Sequence, residues 1–476
     1  MNINHKNLKA KAQNISYQSG LSLIELMVAI TIGLIITAAL GALFLGINRT
    51  NQEMAKANSQ IENGRFAIQL LQSDIVHAGY WGDFSPQFDD LSFPTAPGDV
   101  PNAMPDPCLN YTTPWTADNI TNFIGIPVQV YENTPPSGAG CVTNFATNRK
   151  ANTDLLVVRH ADTCVPGEAN CEADTNGKLY FQASQCEQEI SSKVKGATLT
   201  TITLDTFSST VNDFYKDRSI RILTGPGAGQ TRLISAYDGS TKVATLKPSP
   251  ALPWTLPIPT TDSTYTFGFG YLLDTAGFGI FHERNCTTVA EKRKFISNIY
   301  YIRDYARTVG DGIPTLMVSQ FDLNGTTLAH QAAVPLIENI EGFKVMLGID
   351  NISDNGTNII VNGDPTNLYN AAVKWLDEMN KTSPINRGDG IPDSFISCTD
   401  AVPCTFQQLS NVVAVKIFVL ARAETVTAGY TDTKIYTLGN TTLGPFNDGF
   451  KRHVFSTTVR VNNVSNRRET PCANCF

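Results

Sequence analysis

The most prominent feature of the hydrophobic pattern is an apolar run near the start of the chain, residues 21–47, LSLIELMVAITIGLIITAALGALFLGI. At about 1.5 Å per residue, a helix of this length exceeds the roughly 30 Å hydrocarbon core of a bilayer. Glu25 is the one charged residue within the run. Because Lys6, Lys9 and Lys11 precede it, the sequence predicts a cytoplasmic N-terminus and a body on the other side of the membrane.

A second helical pattern follows directly. Between residues 48 and 82, apolar positions recur at near-helical spacing among polar ones: Ile61, Ile68, Leu71 and Ile75. Gly79 and Gly82 mark the predicted end of this helix. The anchor therefore continues as an amphipathic extension, whose apolar stripe should face a β-sheet.

The rest of the chain has the alternation of β-strands. Residues 83–194 are rich in turn residues, with a predicted first core strand within 151–161. Residues 195–267 contain short alternating segments between turn signals and predict a small inserted β module. Residues 268–476 contain the strongest strand candidates, at 295–304, 315–323, 342–350, 412–422 and 453–461. We expect these five strands to form one mainly antiparallel sheet, which gives an α+β fold.

Length, charge and cysteine content bear on the number of packed units, on nucleic-acid binding and on the compartment of the protein. A chain of 476 residues is too long for one ordinary core, so we expect at least two packed units. Its net charge is −7, and removal of residues 1–20 would leave 33 basic against 43 acidic residues, so nucleic-acid binding is not indicated.

Ten cysteines lie beyond the apolar run: Cys108, Cys141, Cys164, Cys171, Cys186, Cys286, Cys398, Cys404, Cys472 and Cys475. Their even number favours disulfides in an oxidising compartment.

The disulfide connectivity stays open at this stage. Bridges between near neighbours, Cys164 with Cys171 and Cys398 with Cys404, are plausible, but spacing alone cannot decide the pairing.

Glu25 requires an explanation because a lone carboxylate in hydrocarbon costs several kcal/mol. The small residues Ser19 and Gly20 precede the apolar run, whereas a secretory signal places its cleavage site after the run. If the chain is cut after Gly20, Leu21 gains an α-amino group that can pair with Glu25 of a neighbouring subunit. The alternative is an ordinary signal anchor with a stray acid.

Residues 20–47 resemble the class III signal of type IV prepilins. This resemblance implies cleavage between Gly20 and Leu21 and N-methylation of Leu21 by a prepilin peptidase, with Glu25 acting in assembly. Two departures from the major-pilin pattern stand out: Leu21 replaces the usual Phe, and Ala42 replaces a frequent proline.

The resemblance extends further along the chain. Residues 62–82, ENGRFAIQLLQSDIVHAGYWG, and the segments around 342–350, 412–422 and 453–461 resemble PilW-type minor pilins, whereas residues 83–290 do not. The implied fold is type IV pilin-like. Its expected parts are a leader (1–20), a transmembrane and filament-core helix (21–47), the amphipathic extension (48–82), a first part of the body (83–194), the inserted module (195–267) and a C-terminal β-sheet part (268–476).

Catalytic and metal motifs are missing from the sequence. It contains no HExxH, GxSxG or nucleotide-binding fingerprint, so we expect neither an enzyme nor a cofactor. His160 has no second histidine at ligand spacing and is interpreted as structural. The glycine-rich segment 225–231 lacks the lysine of a phosphate loop and predicts a turn, and Cys472 and Cys475 lack the context of a redox motif.

Calcium is the one metal that stays open. The acidic turns 350–356 and 387–395 offer oxygen ligands, but solvated turns explain them better.

The resemblance implies a minor pilin that helps to initiate pilus assembly, lies at or near the tip, and supports adhesion, twitching motility or DNA uptake. Implied partners are other minor and major pilins, the prepilin peptidase, the inner-membrane assembly platform and a tip adhesin. The protein would lie in the inner membrane before assembly and on the cell surface afterwards. Two alternatives remain: an adhesin-like tip subunit that binds through residues 195–267, and a pseudopilin of a type II secretion system.

Overall fold

A computed structural model describes Gly20 and residues 22–86, 101–112, 114–132, 148–186, 191–216, 219–228, 230–247, 253–267, 270–279, 281–352, 358 and 388–468. The chain divides into two compact units, Met1–Asn58 and Ser59–Phe476. The helices are α1 (Leu23–Ile75), α2 (Ala117–Gly125), α3 (Phe406–Leu409) and α4 (Asn462–Ser465).

The strands follow in chain order. They are β1 (Val128–Tyr131), β2 (Leu155–Ala161), β3 (Tyr180–Ala183), β4 (Ser191–Lys193), β5 (Gly196–Ala197), β6 (Thr201–Thr203), β7 (Ser219–Thr224), β8 (Thr231–Asp238), β9 (Val243–Leu246), β10 (Thr264–Phe267), β11 (Tyr271–Asp274), β12 (Lys292–Arg303), β13 (Thr315–Asn324), β14 (Thr327–His330), β15 (Val334–Glu338), β16 (Ile340–Ile349), β17 (Ser394–Ile396), β18 (Val412–Arg422), β19 (Tyr436–Leu438), β20 (Thr441–Leu443) and β21 (Arg452–Arg460).

The long helix α1 contains the apolar run. In the described part of the chain it is the helix that is long and apolar enough to cross a membrane, and the side chains of its apolar segment are exposed. The helix is unbroken at Gly33, Gly41 and Gly46. It ends at Ile75, about one turn before the predicted glycines, and Gly79 turns the chain with a φ of 72°.

The second unit begins on the last part of α1. The buried positions there are Gln60, Gly64, Ala67, Leu71 and Ile75. They recur every three or four residues, which is the spacing of one helix face. Ile61 is 44% exposed, so its predicted place in the buried stripe is wrong. The stripe is one residue out of phase at that end, because Gln60 is buried and its amide donates to the carbonyls of Ala421 and Lys451.

Three main sheets make up the described body, and their strand pairs are antiparallel. One has the order β1-β2-β12-β13-β14, with β3 paired to β11 and β12, and β15 paired to β13. Another has the order β17-β16-β18-β21, and the third has β4-β10-β7-β8-β9-β6-β5. The α+β class with a long N-terminal helix and antiparallel sheets is therefore confirmed.

The five strong strand candidates exist, but they do not share one sheet as we expected. β12 and β13 belong to the first sheet, whereas β16, β18 and β21 belong to the second. The separation arises at Asn339, which has a φ of 64° and turns the chain from β15 into β16. A core that includes Leu71 and Ile75 of α1 joins residues of both sheets.

The seven-stranded sheet has a core of its own. Ile220, Ile222, Ile234 and Tyr265 are fully buried in it, together with Trp254. The chain enters and leaves this sheet between β3 and β11, which pair with each other from Ala183 opposite Tyr271 to Tyr180 opposite Asp274.

Candidate functional site

The start of α1 carries the residues that the sequence singles out. Gly20 is exposed, with open space where a side chain would lie, and Leu21 falls outside the described residues. The Glu25 carboxylate accepts a hydrogen bond from the backbone N–H of Ser22 at 2.9 Å, and the Ser22 hydroxyl accepts one from the N–H of Glu25 at 3.2 Å. This reciprocal pair is a capping box, which satisfies two amide groups at the start of a helix.

Ser22 is therefore a site residue that our sequence reasoning missed. Its signal is the S-x-x-E spacing of Ser22 and Glu25. The side chains around the box, Leu23, Ile24 and Leu26, are more than half exposed and offer an apolar surface to lipid or to another helix.

Where α1 ends on the first sheet, a polar network lies beneath the helix. The two carboxylate oxygens of Asp74 contact His160 Nε2 at 2.9 Å and accept hydrogen bonds from Asn298 at 3.1 Å and from the Tyr300 hydroxyl at 3.0 Å. Burial, reinforced by the Asp74 carboxylate, raises the pKa of Tyr300 far above its usual value. His160 Nδ1 lies 2.8 Å from the carbonyl of Ala161. Both nitrogens of His160 are thus engaged in the structural network that joins the helix to the sheet.

A second buried charged cluster holds the loop between β18 and β21. The Arg452 guanidinium donates to Glu341 at 2.5 Å, to Asp432 at 2.8 Å and to Asp448 at 2.6 Å. Its side chain is fully buried, and these carboxylates raise the pKa of Arg452 against the effect of burial. Removal of one partner from such a cluster would leave an uncompensated buried charge, so these groups hold the loop in its place.

The acidic turns considered for calcium meet at Asp350. Its Oδ2 accepts a hydrogen bond from the N–H of Gly390 at 2.8 Å, and its Oδ1 is buried without a hydrogen-bond partner among the described residues. Burial raises the pKa of Asp350 to about 6. Asp393 instead accepts from the N–H groups of Asn351 and Ile352. Across the described part of the chain, no group of three or more ligating side chains could hold a metal ion.

The structure contains three disulfides whose two cysteines are both described. They join Cys164 with Cys171, Cys186 with Cys286, and Cys398 with Cys404. Cys108 is also disulfide-bonded, whereas Cys141, Cys472 and Cys475 lie outside the described residues. The pair Cys186–Cys286 spans the seven-stranded sheet and was not among the pairs weighed from the sequence.

The described residues of the glycine-rich segment 225–231 lie in the turn between β7 and β8 and at Thr231, where β8 begins. Gly225 and Gly227 adopt φ values of 77° and 81°, which side chains other than glycine rarely adopt. Gly229 lies outside the described residues. The described part of the segment is the turn of a hairpin.

Comparison with known proteins finds two family models that match parts of the chain. Residues 15–41 match the prokaryotic N-terminal methylation motif, and residues 299–463 match the family of Type IV Pilus-assembly protein W. No curated protein matches the chain. A solved structure, the Type IV-like pilin TTHA1219 from Thermus thermophilus, aligns at 12% identity over 36% of this chain and 79% of its own, with a TM-score of 0.12.

The two family matches fall on different parts of the molecule. One covers the start of α1 with its capping box, and the other runs from within β12 into α4. They agree with the resemblance of residues 20–47 and of the segments around 342–350, 412–422 and 453–461, whereas residues 62–82 lie outside both matches. These two matches support a PilW-type minor pilin of the type IV prepilin family.

Proposed function

We propose that this minor pilin helps to initiate assembly of a type IV pilus and lies at or near the pilus tip. Before assembly it is a single-pass protein of the inner membrane, with a cytoplasmic N-terminus and a periplasmic body. A prepilin peptidase cuts it between Gly20 and Leu21 and methylates Leu21. After assembly it is exposed at the cell surface, where it supports adhesion, twitching motility or DNA uptake.

The observation that carries this proposal is the geometry of Glu25. In its own chain the carboxylate is held by the Ser22 N–H in the first turn of an otherwise apolar helix. A carboxylate in hydrocarbon still lacks a countercharge, and the amine created at Leu21 of a neighbouring subunit supplies one. The pairing fixes the axial position of one helix against the next, and the exposed apolar side chains around Glu25 pack between subunits.

The size of the second unit supports a position at the tip. Residues 59–476 form one compact unit. A unit of this length has a radius of gyration of roughly 22 Å, compared with a helix diameter of roughly 10–12 Å. Such a body would crowd a filament built from this chain alone, so we place it with smaller pilins below it. Its partners are then minor and major pilins, the assembly platform and a tip adhesin.

Complementation of a deletion strain tests the role of Glu25. We expect Glu25→Ala to be produced and cut normally but to restore few surface pili, measured by shearing cells and quantifying the major pilin. The matched control is Glu62→Ala, which removes an exposed acid from the polar part of the same helix. Normal piliation with Glu25→Ala would contradict the proposed role.

The seven-stranded sheet favours a second candidate, an adhesin-like tip subunit. A cleft of 640 Å³ lies between this sheet and the rest of the body. Its lining includes Phe214, Lys216, Leu233 and Lys247 from the insert and Asp118 and Asp274 from the rest of the body. A cleft of this volume is large enough for a small ligand. By contrast, no feature of the described residues favours a secretion pseudopilin.

Removal of the insert separates assembly from binding. The N–H of Ser184 donates to the carbonyl of Gly270 at 2.7 Å, so a short turn can replace residues 185–269 while β3 and β11 stay paired. Cys286→Ser removes the cysteine that this deletion would leave unpaired. We expect piliation to persist, whereas adhesion to host or abiotic surfaces would fall if the insert is the binding module. Loss of pili with a folded, stable variant would contradict a pure binding role.

A further inference from the structure

A lysine of the second sheet meets an aspartate of the first sheet in the interior of the body. Lys344 lies on β16, and Asp154 directly precedes β2. The backbone N–H of Asp154 donates to the carbonyl of Phe343 at 2.8 Å, which holds the aspartate beside β16. Lys344 Nζ lies 2.8 Å from Asp154 Oδ1, and the two side chains are 6% and 5% exposed. The amine and the carboxyl group are thus in contact and shielded from water.

A glutamate completes the group. Glu132 directly follows β1, and its Oε1 lies 3.0 Å from Lys344 Nζ. The side chain of Glu132 is 23% exposed and lines a cleft of about 330 Å³, through which water and protons can exchange with solvent. The N–H of Val345 donates to Asp154 Oδ2 at 2.8 Å. One oxygen of Asp154 therefore contacts the amine, while the other contacts a backbone donor.

Burial favours the uncharged forms of this pair. It raises the pKa of Asp154 to about 6, although Lys344, the N–H of Val345 and Arg149 act in the opposite direction. A buried ion pair carries the desolvation cost of both ions. Transfer of one proton from the amine to the carboxylate removes both charges and leaves a neutral amine beside a neutral acid. In this form the lysine is a nucleophile.

Contact and positioned groups supply the remaining requirements for a reaction. Reacting atoms about 3–3.5 Å apart are in a near-attack arrangement, and effective molarities for such pairs are on the order of 10⁵–10⁸ M. An amine that is hydrogen-bonded to one carboxyl oxygen lies close to that distance from the carboxyl carbon. Glu132 contacts the nitrogen that must lose a proton, and a positioned base contributes roughly 10²–10⁴-fold to such a step. The N–H of Val345 stabilises negative charge that develops on Oδ2.

We propose that Lys344 and Asp154 form an intramolecular amide bond, with Glu132 as the catalytic base. The neutral amine attacks Asp154 Cγ, so that the C–N bond forms and Oδ2 takes up the negative charge beside the N–H of Val345. Glu132 removes one proton from the nitrogen and returns it to the Oδ1 hydroxyl. The Cγ–Oδ1 bond then breaks and one water leaves. The step consumes no oxidant or reductant, and Glu132 is regenerated.

The bond joins the two sheets covalently. It connects the start of β2 in the first sheet to β16 in the second, at a sequence separation of 190 residues. Unlike a disulfide, an amide is not broken by reductants. The inference concerns the body of the protein and does not rest on the proposed function.

The same three residue types also meet near the surface, where we expect no bond. Lys294 Nζ lies 2.6 Å from Asp322 Oδ2 and 2.9 Å from Glu172 Oε2. The side chains of Asp322 and Glu172 are 26% and 42% exposed. Burial acts on Asp322 as well, but hydrogen bonds from Lys294 and Leu323 outweigh it and lower the pKa of Asp322. Burial of Lys294 is likewise outweighed by the two carboxylates, which raise its pKa. Both groups therefore stay charged and unreactive.

Peptide mass spectrometry of the full-length protein tests the inference. The protein is purified from membranes in detergent, reduced, alkylated and digested with trypsin. We expect the peptide that contains Asp154 to be joined to the one that contains Lys344, with a mass one water below the sum of the two. The unlinked peptides should be at least tenfold less abundant. Lys294 and Asp322 are the control in the same digest and should appear in separate peptides.

Two variants test the roles of the residues. Lys344→Arg keeps the positive charge but should abolish the crosslink, so the reduced chain should migrate more slowly than the wild type in a denaturing gel. Glu132→Gln keeps the size of the side chain but cannot take up the proton, so it should lower the crosslinked fraction at least tenfold. Glu338→Gln, at an exposed glutamate on β15, is the matched control and should crosslink like the wild type. Resistance of the body to protease shows that each variant is folded.

Separate, unmodified peptides with Asp154 and Lys344 from the wild type would overturn the inference and leave a buried ion pair. That measurement needs no variant, so it decides the matter even if a variant does not fold. Complete crosslinking in folded Glu132→Gln would overturn the assignment of Glu132 as the base. Loss of water between Lys294 and Asp322 would overturn selection by burial. The bond should also form in Glu25→Ala, so its failure and the failure of the proposed function are separable.

Discussion

At the scale of single residues, Gly64 shows how the helix is fitted to the sheet. It lies in the middle of α1, where glycine costs about 1 kcal/mol relative to alanine. A Cβ at this position would collide with the ring of Phe455 on β21. Close approach of helix and strand, rather than helix flexibility, explains the glycine.

This contact gives a stability prediction. Gly64→Ala should destabilise the body by about 1–3 kcal/mol, because the cost of overpacking exceeds the gain in helix propensity. Thermal unfolding of the detergent-solubilised protein measures the change. Gly46→Ala in the same helix has open space around it and serves as the control. Equal unfolding temperatures for the two variants would show that Phe455 moves aside freely.

Asp350 gives a pH prediction. Burial raises the pKa of Asp350 to about 6, and the neighbouring carboxylates of Asp389 and Asp393 also raise it, whereas Arg468 lowers it. An unfolded aspartate has a pKa of about 3.9. The folded state therefore binds the proton more tightly than the unfolded state does. This difference stabilises the folded state fully at pH values below the unfolded pKa, and the stabilisation is lost as the pH rises through about 6.

When the pH falls from 7 to 4, we expect the free energy of unfolding of the wild type to rise by roughly 1–3 kcal/mol relative to that of Asp350→Asn. Urea unfolding at several pH values provides the measurement, and Asp118→Asn, which removes an aspartate on α2, is the control. Parallel pH profiles for wild type and Asp350→Asn would refute the assignment.

At the scale of elements, the sequence located strands better than it located their partners. Alternation predicts a strand wherever one face is buried, and β12, β13, β16, β18 and β21 all lie within a few residues of their predicted bounds. Alternation cannot say which strand lies alongside, so the division into two sheets was not foreseen. Likewise, near-helical spacing found α1 but could not show that Gln60, rather than Ile61, faces the body.

The disulfide Cys186–Cys286 gives a prediction at this scale. It closes a loop with a sequence separation of 100, compared with 7 for Cys164–Cys171. Loop entropy assigns about 4.7 kcal/mol to a loop of roughly 100 residues and less than about 3 kcal/mol to a short one. Cys186→Ser with Cys286→Ser should therefore cost clearly more free energy of unfolding than Cys164→Ser with Cys171→Ser, measured by urea titration. An equal or smaller loss would mean that β3 and β11 alone close the loop.

At the scale of the whole molecule, the sequence predicts those site residues that lie close together along the chain. Gly20, Leu21 and Glu25 follow from one contiguous pattern, and Ser22 could have been added from its S-x-x-E spacing. The network of Asp74, His160 and Tyr300 could not, because its members come from a helix and two strands far apart in the chain.

The mature N-terminus shows whether this chain is processed as a prepilin and enters a pilus. Protein recovered from sheared surface filaments should give an N-terminal peptide that begins with a monomethylated Leu21 and a total mass that lacks residues 1–20. A surface or membrane protein that retains residues before Leu21, or one whose cut lies after the apolar run, would contradict processing as a prepilin.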